Sequence, residues 1–397
     1  MTRIVLLIFL INISFIGRSE IKISFTAYQN EPDLIRKANM ALELWTYYSR
    51  FNTDSLNILG VSLKKSNKGV KDSFVKGVYQ RILGSFDMKK GFLKEGLFLL
   101  KSSRSIFINL GDNRLISEAF NQTGICYLLL SDFQHAQENF NASMEFGRRS
   151  ESVTHSYLAM INLAQCYQLD GDLESAKLYT NKYIKSAIEG EKYESAANGY
   201  SFLGQISMDE TKFEKAIFLF QQQMECAKKG SAPLILTRAK NNLAITFFLQ
   251  GKPKASLRLF QEVLEERKKQ SVLPYLCDAY LNLGNIHLEM ENKNKGNQYL
   301  DSAIYLTKKH ALITYNIEAL ETKYEFDSSA ALQNEIVALK KKQKRIVVKQ
   351  RNERTLNAVP IVNKMSPENL PWYMYLIFLM TLIVLYVFSR ESLSDEG

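Results

Sequence analysis

Histidine and cysteine, the side chains that most often bind metals or act as nucleophiles, are scarce in this sequence. It has four of each in 397 residues. The histidines lie far apart without metal-binding spacing, and no phosphate-binding loop, nucleophile elbow or supported pair of carboxylates occurs. We therefore predict a protein that is not an enzyme and that has no catalytic residues, no cofactor and no metal.

Small residues, in contrast, recur at fixed intervals. One small series has a period of forty residues, a second small series follows twelve positions later, and a mostly bulky series follows four further on. The three series are Gly84, Gly124, Ala164, Gly204, Ala244 and Gly284; Gly96, Ala136, Ala176, Ala216, Ser256 and Gly296; and Leu100, Phe140, Thr180, Phe220, Phe260 and Leu300. Three series in phase over six periods indicate a stack of similar units, none of which can bury its apolar face alone.

Each unit has the pattern of two helices joined by a turn. In residues 237–263, Leu243 and Phe247 share one face of a first helix, and Gly251 ends that helix. Pro253 suits the first turn of the second helix, where its missing N–H costs nothing. Ala244 and Ser256 are small where the two helices would cross, so we expect the helix axes to approach closely.

This pattern resembles the tetratricopeptide repeat. Leu203-Gly204 matches the pair early in the first helix of that motif, and Ala216 with Phe220 matches the pair in the second helix. Tetratricopeptide repeats have 34 residues, so each unit here carries about six more. The resemblance implies an all-α helical-hairpin solenoid of six repeats, and hence a binding surface rather than a catalytic pocket.

The cysteines fit the repeat helices rather than a disulfide framework. Cys126 and Cys166 occupy the same repeat position, and the first helices of adjacent units lie about 10 Å apart. That distance is too long for a disulfide bond. We predict that these two residues, with Cys226 and Cys277, are small core residues.

Two apolar segments lie outside the repeats. Arg3, the apolar run Ile4–Ile16 and Gly17-Arg18-Ser19 have the order of a secretory signal, for which an uncleaved anchor is the alternative. Residues 372–388 are uncharged and long enough for a helix of about 25 Å, which predicts a transmembrane helix rather than a buried core helix. The predicted organisation is a signal peptide (1–19), an N-terminal helical cap (20–76), the repeat array (77–316), a charged helical linker (317–357), a proline-containing hinge (358–371), the transmembrane helix (372–388) and a short tail (389–397).

The formal charge of +10 is concentrated before the apolar segment, because residues 340–354 contain eight lysines or arginines. This run has no aromatic residues, so we predict no nucleic-acid partner. Leu332, Ile336, Leu339 and Ile346 form a short apolar stripe that could pair with a second copy.

Positive charge on this side of the span favours a cytoplasmic array, whereas the signal peptide favours a periplasmic one. We give the signal peptide more weight, because most of the charge lies far from the span.

A second resemblance concerns the segment after the last repeat. Residues 321–325, Glu-Thr-Lys-Tyr-Glu, open a charged helix that is followed by the predicted span. This arrangement is similar to the membrane-proximal part of Gram-negative bacterial sensors, which combine a secretory signal, periplasmic tetratricopeptide repeats and one span with a histidine kinase or DNA-binding regulator. The present sequence contains neither output domain, so the resemblance implies a receptor subunit, an adaptor or a truncated relative.

We therefore predict a single-pass protein of the cell inner membrane whose periplasmic repeats bind a protein or peptide ligand. A membrane sensor or a second copy is a further candidate partner. The alternatives are a scaffold of an envelope or secretion complex and a cytoplasmic, tail-anchored adaptor. The family resemblance places ligand contacts on the concave face of the first helices. The polar candidates are Arg81, Asn121, Gln165, Gln205, Arg238, Asn241 and Asn285, and the apolar ones are Leu128, Met208, Phe248 and Leu288.

Overall fold

The computed structural model describes residues 24–51, 53–150 and 153–358, which form seventeen α-helices and no strand. The helices are α1 (Phe25–Asn30), α2 (Leu34–Phe51), α3 (Thr53–Ser66), α4 (Ser73–Lys89), α5 (Leu93–Leu110), α6 (Asn113–Leu129), α7 (Phe133–Arg149), α8 (Val153–Asp170), α9 (Leu173–Glu189), α10 (Tyr193–Asp209), α11 (Phe213–Lys229), α12 (Pro233–Leu249), α13 (Pro253–Gln270), α14 (Leu273–Glu289), α15 (Lys293–Lys309), α16 (Ile313–Phe326) and α17 (Ala330–Ala358).

The helices from α4 to α15 form six consecutive hairpins with the predicted period. The first helices of the hairpins are the even-numbered ones, and the second helices are the odd-numbered ones. The first hairpin begins at Ser73, four residues before the predicted start of the array, because the side chain of Asp72 accepts a hydrogen bond from the backbone N–H of Val75 at 2.8 Å and caps α4. The prediction of an all-α, tetratricopeptide-like solenoid is confirmed.

The chain divides into two compact units between Val272 and Leu273. The first unit holds α1–α13, and the second holds α14–α17. The division lies inside the segment 77–316 that the repeat pattern predicted as one array.

The small residues lie where the two helices of a hairpin cross. In the first hairpin, a β-carbon added at Gly96 would lie 2.8 Å from the carbonyl oxygen of Gly84, so the two backbones are nearly in contact. In the fifth hairpin, the hydroxyl of Ser256 donates a hydrogen bond of 2.6 Å to the carbonyl oxygen of Ala244. The bulky series is buried throughout, and Phe220 is fully enclosed. The close contacts between the two helices of a hairpin therefore recur with the same period of forty residues as the small and bulky series.

The described turns between helices of the array repeat every twenty residues, each with one residue in the left-handed region. Glycine occupies four of these positions, including Gly171 and Gly251, where its missing side chain removes the steric cost of a positive φ. Seven non-glycine residues at the equivalent turn positions also have a positive φ, among them Thr211 with φ of 59°. The turn geometry is thus set by the packing of the helices rather than by glycine at every position.

The N-terminal helices pack against the first hairpin. Tyr28 of α1 is fully buried, and Trp45 of α2 packs at the edge of the same core. Leu59 and Leu63 of α3 complete this core against α4. Helices α2 and α3 therefore form a helical pair ahead of the first hairpin.

The segment after the sixth hairpin differs from the sequence prediction. Residues Glu321–Glu325 lie in the last turns of α16 rather than opening the charged helix, which begins at Ala330 as α17. Ile336 of α17 is buried against Ile317 and Leu320 of α16, with Leu332 and Leu339 beside it. Leu332, Ile336 and Leu339 of the apolar stripe expected to pair with a second copy are therefore covered inside the chain, because α16 supplies the complementary face.

The predicted signal peptide and the predicted span at 372–388 lie outside the described residues. Among the residues that the structure does describe, no helix combines the length and the apolar character needed to cross a bilayer. The charged helix α17 ends at Ala358, close to the predicted boundary at 357.

Candidate peptide-binding face

In the first unit, each first helix carries one stripe of partly exposed residues. Its other sides are buried against neighbouring helices, which leaves positions spaced by three or four residues accessible, as Arg114, Glu118, Gln122 and Ile125 illustrate on α6. We call these stripes together the first-helix face. It comprises Arg81, Arg114, Glu118, Gln122, Ile125, Leu158, Gln165, Leu169, Gln205, Asp209, Leu234, Arg238, Asn241, Asn242, Ile245 and Leu249, with Asn121, Asn162 and Asn198 largely buried between them.

An ion-pair network joins α4 to α6 on this face. The guanidinium of Arg81 pairs with the carboxylate of Glu118, which also pairs with Arg114 at 3.1 Å. Burial, and to a smaller degree the charge of Arg114, lower the pKa of Arg81 to about 10, so its guanidinium is still charged at neutral pH. One carboxylate thus serves two guanidinium groups.

Side-chain amides join the later first helices. Asn162 Nδ2 donates a hydrogen bond of 2.8 Å to Asn121 Oδ1, which links α6 to α8. Between α10 and α12, the guanidinium of Arg238 donates to Asn198 Oδ1. These bonds connect adjacent repeats and hold the polar side chains in defined orientations.

The structure brings most of the predicted polar residues to this one face. Arg81, Asn121, Gln165, Gln205, Arg238 and Asn241 all lie on the first helices of the first unit, although Asn121 is only 9% exposed. Gln205 Nε2 also approaches Asp209 Oδ1 of its own helix at 3.4 Å. The repeat positions that the family resemblance selected therefore lie on one face of the first helices.

The predicted apolar residues are placed differently. Leu128 and Met208 are buried in core clusters with Ala136 and Ala216, respectively. The sulfur of Met208 also accepts a hydrogen bond of 3.3 Å from the hydroxyl of Thr246. Phe248 is half-buried. Leu128 and Met208 thus fill the space between helices, so a ligand on the first-helix face would not meet them as an apolar wall.

The remaining two candidates belong to the second unit. Leu288 is buried against Gly296 of its own hairpin, and Asn285 is half-buried on α14. Asp278 on α14 and Glu318 on α16 occupy equivalent repeat positions. Burial raises the pKa of Tyr315 to about 12, and the charges of Asp278 and Glu318 add to the shift. The first helices of this unit therefore carry an acidic surface.

The face residues that sequence reasoning missed include Glu118, Asn162 and Asn198, each of which is bonded to a predicted residue on a neighbouring first helix. Glu118 and Asn198 occupy the repeat position of Arg238, so extending that candidate to its equivalents in the other repeats would have found them. Asn121 and Asn241 occupy one repeat position, whose equivalent on α8 is residue 161. Asn162 is the next residue, so it is not equivalent to any of the polar candidates. The ion pair of Glu118 with Arg81 and the hydrogen bond of Asn162 with Asn121 could not be predicted from repeat positions, because both join neighbouring helices.

The described residues contain no group of histidine, cysteine or acidic side chains arranged to bind a metal ion. All four cysteines are buried and unpaired with one another. Burial raises the pKa of the Cys126 thiol to about 11 and that of Cys166 to about 12, so both are protonated at neutral pH.

Comparison with known proteins supports the class of protein that this fold defines. Residues 236–269 and residues 278–310 each match a tetratricopeptide repeat family. These matches show that the chain contains tetratricopeptide repeats, and the hairpin geometry shows that it is a helical solenoid. No curated protein shows significant similarity to the chain.

Several solved structures have the same fold at low sequence identity. The apo form of the quorum sensor NprR from B. thuringiensis is 18% identical with a TM-score of 0.56, over 81% of this chain and 90% of that chain. Aspartyl phosphate phosphatase F from Bacillus subtilis is 16% identical with a TM-score of 0.53, over 81% and 90% of the two chains. A Rap protein complexed with competence and sporulation factor is 13% identical with a TM-score of 0.51, over 81% and 89%.

Proposed function

We propose that this protein is a membrane-anchored receptor or adaptor that binds a peptide, or a peptide segment of a protein, on the first-helix face of its first unit. The observation that carries the proposal is the row of partly exposed polar side chains on adjacent first helices, such as Gln165 and Gln205, together with the buried amide pair Asn121 and Asn162 that joins the repeats beneath the row. Amides can both donate to and accept from a peptide backbone, so a row of them suits an extended chain. Their fixed orientations lower the entropy lost on binding.

Two similar structures support a ligand-binding role. One is named a quorum sensor, and the other was solved as a complex with competence and sporulation factor. The resemblance in fold makes a signalling role a reasonable hypothesis for this chain, although a phosphatase has the same fold. We propose a non-catalytic role, because the sequence offers no motif for nucleophilic or metal-dependent chemistry.

The proposed location is the inner membrane of a Gram-negative cell, with the repeats in the periplasm. The apolar run at 372–388 and the secretory signal at 1–19 support it. The resemblance of residues 321–325 to bacterial sensors supports coupling to a membrane partner. A protease added to spheroplasts should digest the repeats, whereas protection of the repeats would favour the cytoplasmic, tail-anchored alternative.

Selection of ligands from a random-peptide phage library on the full chain in mild detergent tests the binding role. Enrichment of a shared sequence that the free peptide competes away would support the proposal. Libraries that give no enrichment over detergent-coated beads would contradict it. A control selection on a variant altered on the second helices, for example Lys182→Ala with Lys185→Ala, should give the same peptides, since both lysines are exposed on α9.

A structural scaffold is the second candidate. Phe98, Leu178 and Phe218 occupy one repeat position on second helices and are 73%, 52% and 57% exposed. Large apolar side chains exposed in register suit contact with a folded protein. Photo-crosslinkers placed at Leu178 and at Gln165 would separate the candidates: protein adducts confined to position 178 would favour the scaffold, and peptide adducts at position 165 would favour the receptor.

A further inference from the structure

The outer side of α17 carries positive charge that no described residue neutralises. Lys341, Lys342, Lys344 and Arg345 are exposed, and none of them forms an ion pair within the part of the chain that the structure describes. Lys340, the lysine before them, pairs with Glu321 of α16 at 2.6 Å. The charge is therefore concentrated on one accessible surface.

The packing of α17 fixes which way this surface points. Leu332, Ile336 and Leu339 face α16, and Gln343 continues that side with a hydrogen bond of 3.0 Å to the hydroxyl of Thr314. At 100° per residue, Lys341 and Arg345 lie on the opposite side of the helix. The apolar side is thus occupied within the chain, and the basic side is left for a partner.

We infer that this basic surface, residues 341–345, binds the anionic headgroups of phospholipids and holds the second unit close to the bilayer. The inference rests on the proposed span at 372–388. The thirteen residues 359–371 between α17 and that span can reach at most about 45 Å, and the part of α17 after residue 345 adds about 20 Å, so the basic surface is tethered within reach of the membrane. Each lysine or arginine near an anionic leaflet adds to the attraction.

A flat anionic surface fits this part of the helix better than a protein groove does. A protein groove would need several apolar anchors on the exposed side, whereas in the described part of α17 Val337 is the one exposed large apolar residue beside Lys341, Lys344 and Arg345. A lipid surface needs no such anchors, because the interaction is mainly electrostatic and falls off within a Debye length of about 10 Å.

The test places a fluorophore beside the basic surface. Val337 is 59% exposed on the same side of α17, and the native cysteines are buried, so a Val337→Cys variant of the full chain can be labelled selectively. The labelled chain is reconstituted into nanodiscs that contain a lipid with a nitroxide on its headgroup. We expect quenching several-fold stronger in phosphatidylglycerol-containing nanodiscs than in phosphatidylcholine alone, and a loss of the difference at high salt.

Two variants make the result specific. Changing Lys341, Lys342, Lys344 and Arg345 to Gln should abolish the difference between the lipids. Changing Lys228, Lys229, Lys268 and Lys269 to Gln removes equal charge from exposed positions on α11 and α13 and should leave the difference intact.

Equal quenching in both lipids would overturn the inference while leaving the span in place. A chain that inserts into neither nanodisc would overturn the span and this inference together, without touching peptide binding. Soluble polyglutamate could change the emission of the fluorophore at salt concentrations where phosphatidylglycerol has no effect. That result would assign the basic surface to an acidic protein segment and would also overturn the inference.

Discussion

The ring of Phe140 lies directly over the Cα of Gly124: a β-carbon at position 124 would stand 2.7 Å from the Cε1 atom of the ring. Gly124→Ala would gain about 0.5–1 kcal/mol of helix propensity. Overpacking of a closed contact costs about 1–3 kcal/mol, and Phe140 is fully buried, so the clash should outweigh the gain. We expect a lower Tm and a lower urea midpoint, measured by circular dichroism.

A double-mutant cycle would show that the ring is the cause. Phe140→Thr removes the ring and destabilises the protein by itself, but Gly124→Ala should cost less in that background, because Ala164 and Thr180 occupy the equivalent positions in the next hairpin. Additive effects of the two substitutions would mean that the contact between these repeat positions does not limit the packing.

The turns at positions 211 and 251 allow a matched pair of substitutions, because they occupy the same place in adjacent hairpins. Thr211 has φ of 59°, which is costly for a β-branched residue, so Thr211→Gly should stabilise the protein by about 0.5–1 kcal/mol. Gly251 has φ of 77°, and a β-carbon added there would meet no atom within 4 Å, so Gly251→Ala should destabilise by a similar amount through the backbone alone. Denaturant midpoints that move in the same direction for both would refute this assignment of the turn.

The periodic small residues were enough to predict the hairpins, since Gly84, Gly124 and their equivalents can only be tolerated in one packing register. The apolar stripe of α17 was visible too, but its partner was not. Ile336 suits a second copy and α16 equally well, and only the three-dimensional contact with Ile317 decides. Leu128 and Met208 show the same limit: spacing gives the helix face, but the angle between helices decides whether a border residue is buried.

The buried thiols should resist alkylation in the native protein. Burial raises the pKa of Cys126, Cys166 and Cys277 to values of about 11 or 12 and raises that of Cys226 as well. A raised thiol pKa leaves little thiolate at pH 8, and reactivity should increase only as the pH approaches these values. Mass spectrometry after iodoacetamide treatment should detect no rapid modification without denaturant. Fast labelling at Cys126 or Cys166 would show that these helices open readily.

Substitutions on the first-helix face should weaken peptide binding. Arg238→Ala with Asn241→Ala removes two polar groups from α12, one of which donates to Asn198. Loss of that hydrogen bond should destabilise the fold by about 1 kcal/mol, whereas affinity for a selected peptide, measured by fluorescence anisotropy, should fall at least about tenfold. The variant Lys182→Ala with Lys185→Ala should bind as wild type does. Unchanged affinity in the first variant would remove Arg238 and Asn241 from the site.

The contact between α16 and α17 leads to the last prediction, in which Ile336→Asp is combined with Leu339→Asp. Ile336 is 7% exposed between Ile317 and Leu320, so a carboxylate there would be buried without a partner. We expect a loss of more than about 3 kcal/mol from this contact and much faster hydrogen exchange in residues 313–345. Val337→Asp is the matched control: Val337 is 59% exposed, so the substitution should change stability by no more than about 0.5 kcal/mol.

Hydrogen exchange in the double variant distinguishes packing of the apolar stripe against α16 from pairing of the stripe with a second copy. If the stripe paired with a second copy, the double variant would reduce self-association and leave exchange in α16 unchanged. Because α16 already covers it, we expect the opposite: α16 should lose protection from exchange whether or not a partner is present. Any loss of partner binding in this variant would then follow from local unfolding of α16 and α17, so partners of the second unit should be mapped with Val337→Asp rather than with substitutions at Ile336.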